Sequence, residues 1–259
     1  MIMPQPSYSL TFSEGKVTKN KPNMIVFFRI LVTLHHKPFR NCLDMQEIKS
    51  ISTYRHSLKD KILETSMALF ANKGIKGVKM DDIANALSIS KRTLYEIYSD
   101  KEELLFEGVK KYRALRSEHM SMIAQNSDNV MDIILHAYML QVEEFKKTNP
   151  GFYSDIERYP KVMKYLEDEH RCTRSQFLNF LRRGVAEGHF LSDINYDLIM
   201  SMFDALGKYI MSNQLYMRYS MEEVFRNLVF VSLRGICTVK GVEVLDRFMT
   251  CPIAKESPK

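Results

Sequence analysis

Two apolar stripes at helical spacing, each about two turns long, lie between Met80 and Tyr98 with only Ser88-Ile89-Ser90 to join them. Met80, Ile83, Ala84 and Leu87 share one face of the first, and Asp81 and Asp82 stand near its positive N-terminal end. Ser90 is a natural N-cap for the second, Lys91 to Tyr98, because its hydroxyl can accept an otherwise orphaned backbone N–H. The flanks are helical as well. Leu58, Ile62, Leu63, Met67, Leu69 and Phe70 recur at helical spacing up to Lys73-Gly74, where glycine tolerates the left-handed conformation that ends a helix. Asp100 followed by Glu103 has the spacing of a capping box, so a fourth helix opens at Lys101 and runs to about Gln125.

Beyond it, helical patterns recur at 128–147, 152–158, 161–187, 195–213 and 221–239, punctuated by Asn149-Pro150-Gly151, Pro160, Gly188 and Tyr219-Ser220. With 10 Gly and 8 Pro in 259 residues and few strand candidates, the chain reads as all-α, a three-helix head followed by a larger helical body. Residues 1–56 show no sustained period and mix Pro4, Pro6, Pro22 and Pro38 with basic residues, so they are expected to be an N-terminal extension. Met45, just before the first patterned helix, is an alternative start. The expected division is 1–56 extension, 57–105 head and 106–259 body.

The net charge is +6, but residues 1–56 carry 8 Lys/Arg against 3 Asp/Glu, so most of the excess precedes the head. Total charge therefore says little about partners; a local basic cluster decides. Cys42, Cys172, Cys237 and Cys251 have no Cys-x-x-Cys spacing, and His136, His170 and Cys172 make no convincing ligand set, so neither metal nor other cofactor is expected. The early apolar run Met24–Leu34 is too short to span a membrane, and a cytoplasmic, nucleoid-associated protein is expected. No Gly-rich phosphate loop, G-x-S-x-G elbow or H-E-x-x-H motif occurs, and the paired acids are adjacent residues about 100° apart on helices. An enzyme is not expected.

Two short helices joined by three residues, the second opening with Ser90-Lys91-Arg92-Thr93, match the helix-turn-helix plan, in which the start of the second helix meets base edges in the major groove. Lys91 and Arg92 can satisfy phosphates or the guanine O6/N7 edge. Thr93 can donate to phosphate or touch a thymine methyl, and Tyr95 and Tyr98 can hydrogen-bond phosphate while their rings pack. Lys101 adds charge beside the free N–H groups that open the fourth helix. The competing reading is that Lys91 and Arg92 are a solvated face and that at least one tyrosine is mainly a packing residue.

The string from Met80 to Leu105 closely resembles the head of the TetR (tetracycline repressor) family of regulators. The family pattern is met by Ile83-Ala84 in the second helix, Ser90 in the turn, Leu94-Tyr95 in the third helix and Lys101-Glu102-Glu103-Leu104 opening the fourth, with Ile62, Phe70 and Gly74 ahead of them. Two positions depart from it. Lys79 stands where the family has a capping Thr or Ser, although Asp81 and Asp82 partly compensate and the lysine can still reach a phosphate. Ser88 stands where the family has Gly, at a cost of about 1 kcal/mol in a left-handed turn.

The resemblance implies a homodimer whose third helices enter successive major grooves of a palindromic operator, about 34–36 Å apart, as a repressor released by a small-molecule inducer of unknown identity. It also implies pairing of the last two long helices with their copies, through positions such as Ile199, Phe203, Leu206, Ile210, Val224, Leu228, Val231 and Leu233. Met131, Tyr138, Met139, Phe145, Phe152, Tyr153, Phe177, Phe180 and Met202 suit either an adaptable ligand pocket or an ordinary core, and no ligand residue is singled out. Two alternatives remain at this point: a DNA-binding regulator without a small ligand, and a helical interaction module whose head has lost DNA binding.

Overall fold

The computed structural model describes residues 51–250, with side chains from Leu58 onward. The extension up to Ser50, the alternative start at Met45, and Cys42 and Cys251 lie outside the described residues. The helices are α1 (Ile51–Lys73), α2 (Met80–Ala86), α3 (Lys91–Ile97), α4 (Lys101–Asn126), α5 (Val130–Lys147), α6 (Pro150–Ile156), α7 (Pro160–Ala186) and α8 (Tyr196–Ser212). A 3-10 turn (Leu215–Met217) leads to α9 (Met221–Val224), a π turn (Phe225–Val229), α10 (Phe230–Arg234) and α11 (Val239–Thr250). An isolated antiparallel bridge, Phe190 to Cys237, is the extended pairing among the described residues.

Local chemistry explains most boundaries. Ser90 Oγ accepts the Thr93 N–H at 3.0 Å and Asp100 Oδ1 accepts that of Glu103 at 2.8 Å, so α3 and α4 each begin on a side-chain cap. Pro150 and Pro160 occupy the first turns of α6 and α7, where a missing N–H is harmless, and these helices start slightly before the positions expected from periodicity. Gly74 (φ +74°) ends α1 in the left-handed conformation, and Ser88 (φ +53°) takes the same conformation in the turn after α2. Lys79 precedes α2 without a capping side chain, but its own N–H donates to Asp82 Oδ2 at 2.7 Å, which completes half of the reciprocal cap.

The C-terminal end differs from the single helix expected over 221–239. The rod from Met221 widens at Phe225–Val229, where the Phe230 N–H donates to the Phe225 carbonyl, and it stops at Gly235. Residues five apart diverge by about 140° on a regular α-helix, whereas the wider turn lets Phe225 and Phe230 both meet Tyr138, with ring centroids at 5.3 and 4.9 Å. After Gly235 the chain forms the bridge to Phe190 and a new amphipathic helix, α11, whose Phe248 closes on the same tyrosine at 5.7 Å. No periodicity over 221–239 reports a break that long-range packing imposes.

α11 sits close to the α7–α8 connection because Gly241 has no side chain. A Cβ there would lie 2.3 Å from the His189 carbonyl oxygen, a backbone atom that cannot swing aside. Gly241→Ala is expected to lower stability by about 1–3 kcal/mol, read as a fall in thermal midpoint at an unchanged helical signal; an unchanged midpoint would show that the contact is slack.

Candidate nucleic-acid interface and inner cavity

The head is built on Ile62, Phe70, Ile75, Ile83, Leu94, Leu104 and Leu105, all fully buried. Leu94 points α3 inward, which leaves Lys91, Arg92, Tyr95 and Glu96 together on its outer side. Lys91 Nζ lies 2.5 Å from Asp81 Oδ2 of α2, and Arg92 Nε donates to Glu96 Oε1 at 2.8 Å one turn along. These partners hold both cations charged, since the hydrogen bonds to the carboxylates raise their pKa values further. Exposed pairs of this kind are screened and readily exchanged, so a phosphate can replace either carboxylate. Ser90 and Thr93 bond to each other at 2.8 Å between hydroxyls, with Ser90 exposed and Thr93 half-buried. Lys79, at the N-terminal end of α2, is exposed.

Two expected phosphate contacts are placed differently. Tyr98 is 1% exposed, and its hydroxyl finds no hydrogen-bond partner among the described residues. Burial pushes its phenol well above the ordinary range. It is a core residue, and only Tyr95 (48% exposed) keeps its ring outside. Lys101 is half-buried and donates to the carbonyls of Ile75 at 2.8 Å and Val78 at 2.7 Å. Burial lowers its pKa in spite of Asp155 and Asp82 nearby, and its ammonium ties the α1–α2 connection to α4 instead of facing solvent. The signal for this was absent from sequence spacing, because 26 residues separate Lys101 from Ile75.

The end of α1 is gripped from the body as well. The Asn149 N–H donates to the Ala71 carbonyl at 2.6 Å, the Asn149 amide to Asn72 at 3.3 Å, and the Lys76 N–H to Asp155 Oδ2 at 2.7 Å. On the α4 side, Lys111 Nζ pairs with Asp60 at 2.9 Å and Glu64 at 3.3 Å.

Behind this junction lies a cavity of about 350 Å³. Met67, Ala68 and Ala71 of α1 form one wall; Val109, Tyr112, Arg113 and Arg116 of α4 form another; α5 to α8 close the rest. Of the sulfur and aromatic residues singled out from the sequence, Phe152 and Tyr153 line it, while Tyr138, Phe177 and Phe180 are core. Its polar groups are Arg113, Arg116, Gln141, Glu144 and Thr148. Arg116 forms an ion pair with Glu144 and donates to Gln141 Oε1 at 2.9 Å. Burial pushes the Arg116 guanidinium down and the Glu144 carboxyl up, toward their neutral forms, and the ion pair opposes both. Sequence reasoning missed this set. The available signal was Gln141 and Glu144 three apart on a helix that is otherwise apolar on that side.

A second exposed feature is the outer face of α8, where Leu198, Met202, Ala205 and Tyr209 follow one another at helical spacing, with Val231 exposed on α10. Phe203, Ile210, Val224 and Leu233, expected to face a partner, are buried within the chain; Ile199, Leu206 and Leu228 are half-buried.

Residues 62–107 match the family model described as bacterial regulatory proteins, tetR family. The TetR-family match is thus carried by the helix-turn-helix head. Among curated TetR-family relatives the chain is 25% identical over 150 residues to the HTH-type transcriptional repressor KstR2 of Mycobacterium tuberculosis, covering 56% of this chain and 74% of that protein. It is 26% identical over 179 residues to IcaR, the negative transcriptional regulator of the biofilm operon icaADBC in Staphylococcus aureus, covering 69% and 81%. The fold is shared with a TetR-family regulator from Agrobacterium tumefaciens, at a TM-score of 0.57 and 15% identity over 71% of this chain and all of that one. No helix among the described residues is long and apolar enough to cross a membrane.

Two substitutions separate packing from DNA contact. Lys101→Ala removes both carbonyl contacts and is expected to lower stability by about 1–2 kcal/mol. Tyr98→Phe removes a buried hydroxyl without a partner and is expected to raise stability by up to about 1 kcal/mol. Chemical denaturation of both variants checks this, and a Tyr98→Phe protein less stable than the parent would show that the hydroxyl is bonded in solution.

Proposed function

We propose that the chain is a homodimeric repressor that binds a palindromic operator through α3 and releases it when a small molecule occupies the body. In this reading residues 57–105 are the DNA-binding head and residues 106–259 the regulatory and dimerisation body, with the protein acting by binding alone on DNA inside the cell. Lys91, Arg92, Thr93 and Tyr95 meet the duplex, Ser90 sets the start of the reading helix, and Lys79 reaches a flanking phosphate. The helix α4, which begins in the head and ends in the body, carries the change between them.

The observation that carries the reading is the outward face of α3, where two cations, a hydroxyl and an aromatic ring stand together while Leu94 and Tyr98 anchor the helix from behind. The repressor names of the two curated relatives support the sign of regulation. The exposed apolar stripe of α8 supports a second copy of the chain as its cover. The cavity supports the ligand, because α1 of the head forms one of its walls.

The test is to select duplexes from a random pool with the full chain and then measure affinity against salt. Lys91→Ala/Arg92→Ala is expected to bind at least about tenfold more weakly, with a salt slope shallower by about 1–2. Equal affinity and equal slope for parent and variant would remove α3 from the interface.

A further inference from the structure

The cavity is lined mostly by apolar groups, yet it contains two arginines, and they are not in the same state. Arg116 is paired with Glu144 and Gln141. Arg113, three residues earlier on the same helix, makes no hydrogen bond and no ion pair among the described residues, and burial pushes its guanidinium below the ordinary value although Glu169 attracts it from outside the lining. Two guanidinium groups against one carboxylate leave the lining with one net positive charge. A guanidinium remains charged in proteins and offers a planar fork of donors that fits a carboxylate on two bonds.

We propose, on the reading that this cavity is the regulatory site, that its ligand is an amphipathic monoanion whose carboxylate is held by Arg113 and whose apolar body lies against Met67, Ala71, Val109, Met163 and Leu166. A neutral ligand offers Arg113 no counter-charge, a cation meets a lining of net positive charge, and a dianion exceeds the one charge available. The volume of about 350 Å³ falls near the lower end of ligand pockets, which suits one short chain or a small ring system. The apolar body then touches α1 directly. Met67 is the contact through which it reaches α4 as well, since the Met67 sulfur sits where a Cβ on Gly108 would fall, 2.5 Å away. A flexible thioether in that position can be displaced by a ligand without opening the core.

The experiment is calorimetric titration of the full chain with decanoate, decan-1-ol and decyltrimethylammonium, each below its micellar concentration. Decanoate is expected to bind at least about tenfold more tightly than the alcohol, as a charge-assisted contact provides, and the cation more weakly than either. Arg113→Gln is expected to remove the preference for decanoate while keeping the binding of the alcohol, and Arg113→Lys to retain most of it. Retained alcohol binding in Arg113→Gln shows that the variant is folded around an intact cavity. Binding of the alcohol or the cation as tightly as decanoate, or an unchanged preference in Arg113→Gln, would overturn the anion and leave the cavity as a ligand site. Binding of none of the three would overturn both.

Discussion

The last turn of α1 and the loop after it expose backbone groups that no neighbour within the helix can satisfy, and the body together with the start of α4 supplies their partners. Asn149 covers the carbonyls of Ala71 and Asn72, Asp155 takes the Lys76 N–H, and Lys101 takes the carbonyls of Ile75 and Val78. Gly74 makes the turn possible, and a Cβ there would fall 3.3 Å from the Asp155 carboxylate, so the clamp and the glycine require each other. α2 and α3 are too short to persist alone, and they hang on this junction through the fully buried Ile75, Val78 and Ile83. The junction that carries the reading helix is therefore held in part by groups that belong to the body.

The same junction places the cavity where it can matter. α1 is at once the back of the DNA-binding head and one wall of the cavity, and α4 runs past both. A ligand that spread Met67 and Arg113, as proposed, would act on α1 and α4 directly, with no long relay of side chains between cavity and head. The buried pair of Arg116 and Glu144 is costly to leave half-made, which keeps α4 registered against α5 when the cavity is empty or filled.

Features governed by a few consecutive residues were legible in the sequence. Ser90, Asp100 and Gly74 act within one helical turn of themselves, and the left-handed Ser88 follows from the tight joint between α2 and α3. What depended on distant chain was not legible. Lys101 and Tyr98 have the same composition as DNA-contacting residues, and only the packing of α1 and α4 around them turns both inward. The break after Gly235 answers Phe190 and His189, and the π turn answers Tyr138 on α5. The exposed stripe on α8 was displaced by one helical position, from Ile199 and Phe203 to Leu198 and Met202, because periodicity identifies an apolar arc without saying which edge the core takes.

In the proposed function α3 is the surface that grips DNA while the body helps to hold it in place. Amide hydrogen exchange of the full chain, alone and bound to a duplex selected from a random pool, tests this most directly. Slower exchange is expected at Ser90 to Tyr95 and in the turn before them on DNA binding, with the outer face of α8 unchanged. Protection confined to residues beyond 106, with α3 exchanging as in the free protein, would contradict it.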